Sequence, residues 1–186
     1  LPLNFRYGIS EHAEVDFMAD PYDRTATRGG GLPSATAQGF GGTTLRLKWN
    51  LRGDDGGKTA FALLPYVSLP TASRDFGSRH LEGGLVLPFA ISLDERTDLS
   101  TMLVVDVPRN QADDGWAPDL VHSVSLGRDL GGGWGAYVEL AGFFSPSHDQ
   151  DYRPTFDTGV TLGLGDNSQI DAGVRLGLTR ATDDVA

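Results

Sequence analysis

Apolar and polar positions alternate along most of the chain. Leu3, Phe5, Tyr7 and Ile9 are interleaved with Asn4, Arg6, Gly8 and Ser10. After a turn near Ser10-Glu11, Ala13, Val15, Phe17 and Ala19 are interleaved with Glu14, Asp16 and Met18. Leu45, Leu47, Trp49 and Leu51 alternate with Thr44, Arg46, Lys48, Asn50 and Arg52. The same period returns in Phe61, Leu63, Val67 and Leu69, then in Leu81, Leu85, Leu87, Phe89 and Ile91, with Glu82, Gly84 and Ala90 opposite the latter. It continues through Leu99, Leu103, Val105 and Val107, which oppose Ser100, Met102, Val104 and Asp106. Leu120, Val124 and Leu126 oppose Val121, Ser123 and Ser125, and Ala136, Val138, Leu140 and Phe144 oppose Tyr137, Glu139, Ala141 and Phe143. A period of two is that of a strand, whose successive side chains point to opposite faces.

The clearest case is the stretch Asp157–Thr179. Val160, Leu162 and Leu164 lead into Gly165-Asp166-Asn167-Ser168, and Ile170, Ala172, Val174, Leu176 and Leu178 lead out, with Asp171, Gly173 and Arg175 between them. That is a hairpin with one apolar face and one face of glycine, hydroxyl and charge. In all, the pattern predicts about ten antiparallel strands of roughly eight to twelve residues, the length a tilted barrel strand needs.

The connections alternate in length. Turns near Glu11, at 53–57, Asp94-Glu95, 129–133 and 165–168 are short. The stretches Asp20–Gly42, Pro70–Arg79, Pro108–Pro118 and Ser145–Pro154 are longer. The first of these has no periodicity and is expected to be a polar loop. This is the layout of an up-and-down meander. In outer-membrane barrels the tight turns lie at one end and the loops at the other. A soluble all-β binding module, a lipocalin-like barrel or a sandwich holding a small ligand, is the alternative the alternation leaves open.

The polar rows favour the membrane barrel. They carry Arg6, Glu14, Asp16, Arg46, Lys48, Arg52, Glu82, Asp106, Glu139, Asp157, Asp171 and Arg175. In a closed barrel these residues would line a wet lumen, pair across it and set its width and selectivity; on a soluble sheet they would be a solvated face with weak surface pairs. Phe5, Tyr7, Trp49, Trp116 and Trp134 lie where interfacial girdle residues would, though ordinary packing also accounts for each. Pro65 and Pro88 interrupt neighbouring strands and are expected at a shared bulge or kink, since proline removes a ladder donor.

Composition narrows the rest. The chain has 186 residues, 25 of them Gly and none Cys, and a net charge of −10. Disulfides and thiolate metal sites are excluded. An acidic chain without a basic stripe excludes nucleic acid as a partner. No apolar run is long enough for a membrane helix, which leaves strands as the only way across. Chemistry is sparse. His12, His80 and His148 fall in turns or loops. His122 and Ser123 are strand neighbours and so point to opposite faces, which leaves no simple dyad. The acidic run from Asp106 to Asp119 lacks the ligand spacing of a calcium loop and reads as solvated. The glycine clusters at 29–31, 53–57 and 131–133 read as turns.

Four segments together resemble a known family: Leu45-Arg46-Leu47-Lys48-Trp49, the run from Ala62 to Thr71 (ALLPYVSLPT), Leu85-Val86-Leu87-Pro88, and the run from Asp171 to Thr179. They are similar to the outer-membrane barrel proteins grouped as the MetA-pathway of phenol degradation, or transporter, family. The resemblance covers most of the stretch from Arg6 to Asp184. It implies a Gram-negative outer-membrane channel that admits small solutes, aromatic compounds among them. Family members continue past this point into a last strand ending in an aromatic residue, so the chain is expected to be one barrel domain over 1–186, truncated at both ends, with about twelve strands when complete. The resemblance supplies no catalytic residues. The expectation is a transmembrane barrel and passive porin-like transporter, not an enzyme, with no cofactor or metal. Membrane lipid and a small-molecule solute are its expected partners.

Overall fold

The computed structural model describes residues 2–27, 35–53, 57–110, 115–145, 150–165, 168–179 and 182. Within them the chain is all-β, with antiparallel strands and no helix. The strands are β1 (Leu3–Ser10), β2 (Ala13–Asp20), β3 (Asp23–Thr27), β4 (Ala35–Gly39), β5 (Gly42–Arg52), β6 (Thr59–Leu69), β7 (Glu82–Ser92), β8 (Thr97–Val107), β9 (Asp119–Gly131), β10 (Trp134–Ser145), β11 (Gln150–Gly163) and β12 (Gln169–Gly177). Ten of them form one sheet in the order β1-β2-β5-β6-β7-β8-β9-β10-β11-β12, and β3 and β4 pair separately. The sheet does not close on itself; β1 and β12 are its two edges.

The meander follows the alternation strand by strand, and two of its local features correct the sequence reading. Polar residues 20–42 are not simply a loop, because β3 and β4 form a hairpin there, with Asp23 opposite Gly39 and Thr27 opposite Ala35. Threonine and alanine dominate both arms, so no apolar period marks them. At the other end β11 begins at Gln150, and Pro154 lies inside it opposite Gly142. Proline is tolerated there because its missing donor points past the end of the neighbouring ladder. The Pro154 carbonyl already accepts from Leu178 N–H at 3.0 Å, beyond the last pair of β11 with β12.

Pro65 and Pro88 do not mark the bulges. The register shifts fall at Gly8/Ser10, Asn50/Arg52, Trp134/Gly135 and Phe143/Ser145. Each proline instead opens a short gap in an otherwise unshifted ladder. Pairing of β5 with β6 lapses between Arg46↔Tyr66 and Trp49↔Leu63, where Pro65 would face Leu47. Pairing of β6 with β7 lapses between Phe61↔Phe89 and Leu64↔Val86, where Pro88 would face Ala62. A residue without an N–H cannot complete the pair, yet the strands on either side keep register.

Burial in this sheet is inverted relative to a water-soluble domain. Among the described residues only Ala62 and Leu64 are buried apolar side chains, whereas Asp16, Thr97, Asp119, Ser145 and Asp157 are buried polar ones. The apolar face is uncovered from edge to edge. It carries Phe5, Phe17, Leu47, Val67, Phe89, Leu103, Val124, Leu140, Val160 and Val174, each more than a third exposed.

Candidate functional site

The polar face is held together by rows that run across the strands. One runs Arg6, Asp16, Arg46, Tyr66, Gly84, Asp106 and Asp119. Another runs Ala90, Ser100, Ser125, Glu139, Asp157 and Arg175. Glu14 faces Lys48, Glu82 faces Ser68, and Asp171 faces Thr161. Arg52, at the end of β5, is opposite Phe61 beyond the register shift at Asn50/Arg52. Eleven of the twelve charged residues singled out in the sequence therefore share one face, which is concave, and the twelfth, Arg52, lies past that register shift and lines the cavity on that face. Residues from β5 through β10 line a single cavity of about 500 Å3, with Lys48, Asn50 and Arg52 at one side and Glu139 at the other.

The ion pairs join adjacent strands rather than spanning the concavity. Arg46 donates to Asp16 Oδ2 through both Nε and Nη2, at 2.8 and 2.7 Å. Asp16 is fully buried, and its Oδ1 makes no hydrogen bond; Arg6 Nε stands 3.9 Å from it. Lys48 Nζ lies 3.6 Å from Glu14. Arg175 Nε donates to Asp157 Oδ1 at 2.6 Å, while Thr155 donates to the other oxygen at 2.9 Å. These pairs tie β2 to β5 and β11 to β12, near the two edges of the sheet. The strands between them carry small residues on the same face (Ala60, Ala62, Ala90, Ser100, Ser123 and Ser125), so the middle of the concavity is open.

Several contributors were not singled out from sequence. Ser145 Oγ donates to Asp119 Oδ1 at 2.5 Å, and both residues are buried. Asp119 lies beside Asp106 across the strand pair, which concentrates acid at the loop end of the face. Tyr137 lies along its row over two glycines. A Cβ on Gly159 would stand 2.6 Å from Tyr137 Cε1, and one on Gly173 would stand 2.7 Å from its hydroxyl. The glycines thus make room for a ring that braces three strands. The row itself was the missing signal, because only the register sets Tyr137, Gly159 and Gly173 side by side. Replacing Gly159 by Val is expected to cost about 1–3 kcal/mol through overpacking. Chemical denaturation checks this, and adding Tyr137→Ala should restore part of the loss.

The connections at the loop end are tied to one another. Phe40 N–H donates to Ser73 Oγ and Ser73 N–H returns a bond to the Phe40 carbonyl, both at 2.8 Å. Arg109 N–H donates to Glu82 at 2.9 Å, and its guanidinium stacks over Trp116, whose indole donates to the Leu81 carbonyl. Trp116 thus serves the rim of loops rather than the apolar face. Beneath these ties a smaller cavity of about 220 Å3 is lined by Asp20, Thr44, Ser68, His80 and Glu82 among others. At the opposite end the Asp94 turn accepts a bond from Arg96 N–H at 2.8 Å, which holds the Asp94 carboxyl below its ordinary range, with Thr97 and Arg128 assisting.

His122 and Ser123 do project to opposite faces. His122 lies on the apolar side, where its Nε2 is 2.7 Å from the Tyr152 hydroxyl and the two rings stack at 5.8 Å. The sequence features at 29–31, 54–56, 113–114, 148, 166–167 and 183–184 lie outside the described residues.

The polar concave face, the exposed apolar face and the proline-marked strands β6 and β7 all belong to one continuous segment. No curated protein and no solved structure matches it. A family does: the one described as "Putative MetA-pathway of phenol degradation" matches residues 4–186. That span takes in every strand of the sheet but the first residue of β1, and the chain belongs to this family.

Proposed function

We propose that the chain forms the wall of a bacterial outer-membrane β-barrel that passes small solutes without chemistry. The observation that carries this reading is the inverted burial. Ten strands present a largely apolar face with nothing over it, while Asp16, Asp119, Ser145 and Asp157 are buried on the other side. Exposed patches of that extent are unfavourable in water and favourable against acyl chains. Apart from the lapses at Pro65 and Pro88, the antiparallel ladder pairs each inner strand with its neighbours, as a lipid-facing sheet requires.

Closure is the remaining requirement, since an open edge in lipid leaves N–H and C=O groups unpaired. In a meander of ten strands the first and last run antiparallel. The β1 and β12 edges are therefore compatible with direct pairing or with an even number of strands inserted between them. The charges of the polar face would then line the lumen, with Asp16–Arg46, Glu14–Lys48 and Asp157–Arg175 stiffening its wall beside the seam.

Reconstitution into liposomes tests the reading. Protein-dependent entry of a small neutral solute that lipid alone excludes, such as phenyl glucoside, or unit conductance steps in a planar bilayer, is the expected result. A protein that stays monodisperse in detergent-free buffer and adds no permeability would instead be a soluble binding module.

A further inference from the structure

Most charges of the concave face are already committed to one another. Two that line the 500 Å3 cavity are not. Among the described residues the Arg52 guanidinium makes no ion pair or hydrogen bond, and the Glu139 carboxylate makes neither, although it lies in the field of Arg175. The hydroxyls of Ser100, Ser123 and Ser125, on the same lining, also have no hydrogen-bond partner among the described residues. Between the two charges the lining is apolar at Ala62, Pro88 and Met102. The cavity therefore offers a guanidinium at one side, a carboxylate at the other, hydroxyls in line and a hydrocarbon floor.

We infer that this cavity is the solute-selecting station of the channel, and that it takes small carboxylates with an apolar body and a hydrogen-bond donor at the far end, such as a ring bearing a carboxylate and a hydroxyl. The inference rests on the channel reading above. A guanidinium fork matches a carboxylate and stays charged at any working pH. The apolar body displaces water from Ala62, Pro88 and Met102. The far hydroxyl donates to Glu139, with the serines available to bridge. A neutral alcohol uses only the floor, and a simple inorganic anion only the arginine. The Asp16–Arg46 pair stays out of this exchange because both Arg46 donors of that pair are already used.

The test compares uptake of 4-hydroxybenzoate and of the neutral, lipid-excluded phenyl glucoside by liposomes carrying the whole protein, as wild type, Arg52→Gln and Glu139→Gln. Wild type should admit both. Arg52→Gln should slow 4-hydroxybenzoate by about tenfold, the worth of one charge-assisted contact, and leave phenyl glucoside unchanged. Glu139→Gln should shrink the preference for 4-hydroxybenzoate over benzoate, and Arg52→Lys should recover part of the loss in Arg52→Gln. Equal slowing of both solutes by Arg52→Gln, or no effect on either, overturns the selecting role while leaving the channel intact. Failure of wild type to admit either solute overturns the channel and this inference together.

Discussion

Replacing Arg46 by Met should destabilise the fold by about 3–5 kcal/mol, with the lower end favoured because Arg46 is partly open to solvent. The cause is what the substitution leaves behind. Asp16 is fully buried, and one of its oxygens depends on the two Arg46 donors while the other has no hydrogen bond. Without Arg46 a buried carboxylate keeps only Arg6, 3.9 Å away and largely exposed. Neutralising the acid as well should undo most of the damage, so Asp16→Asn with Arg46→Met is expected to be more stable than Arg46→Met alone. Urea unfolding of the reconstituted protein measures both. Equal loss in single and double variants would mean that Arg46 acts through packing and not through the pair.

The second large effect belongs to the opposite face. Val124 and Leu140 are direct neighbours on β9 and β10, both exposed and both on the apolar side. Arginine at either position should cost about 2–4 kcal/mol in a bilayer, the range for a cation on the lipid-facing side near mid-depth. Ser125, one residue along from Val124, points to the concave side, and arginine there should leave folding in lipid nearly unchanged. In a water-soluble sheet the order would differ, since an exposed arginine at 124 or 140 would be tolerated. Folding yield into vesicles, read by heat-modifiable gel mobility, separates the two.

The alternation was a sufficient guide to the ten strands of the main sheet because one face carries apolar side chains and the other charged ones, so a slip of one residue would invert every side chain. That is why the shared face of Arg6, Asp16, Arg46 and Glu139 was readable, together with the separation of His122 from Ser123. Pairing was less readable. The sequence reading set cations against acids across a lumen, whereas the ion pairs join adjacent strands, because register and not composition decides which charges touch. The same limit hid the Tyr137 brace on Gly159 and Gly173 and the Ser145–Asp119 contact. The β3–β4 hairpin escaped because its threonines and alanines have no hydrophobic period. Pro65 and Pro88 were expected at bulges; the strands absorb each as a lapse of pairing, with the bulge near them falling instead at Asn50/Arg52.

On the channel reading, one face of this sheet meets lipid and the other meets water. Spin labels placed singly along β9 in the bilayer-reconstituted protein test it most directly, by comparing collision with oxygen, which partitions into lipid, and with a water-soluble nickel complex. Positions 120, 124 and 126 should favour oxygen and positions 121, 123 and 125 the nickel complex, in strict alternation. Uniform access to the nickel complex at all six positions would mean that neither face of β9 meets lipid.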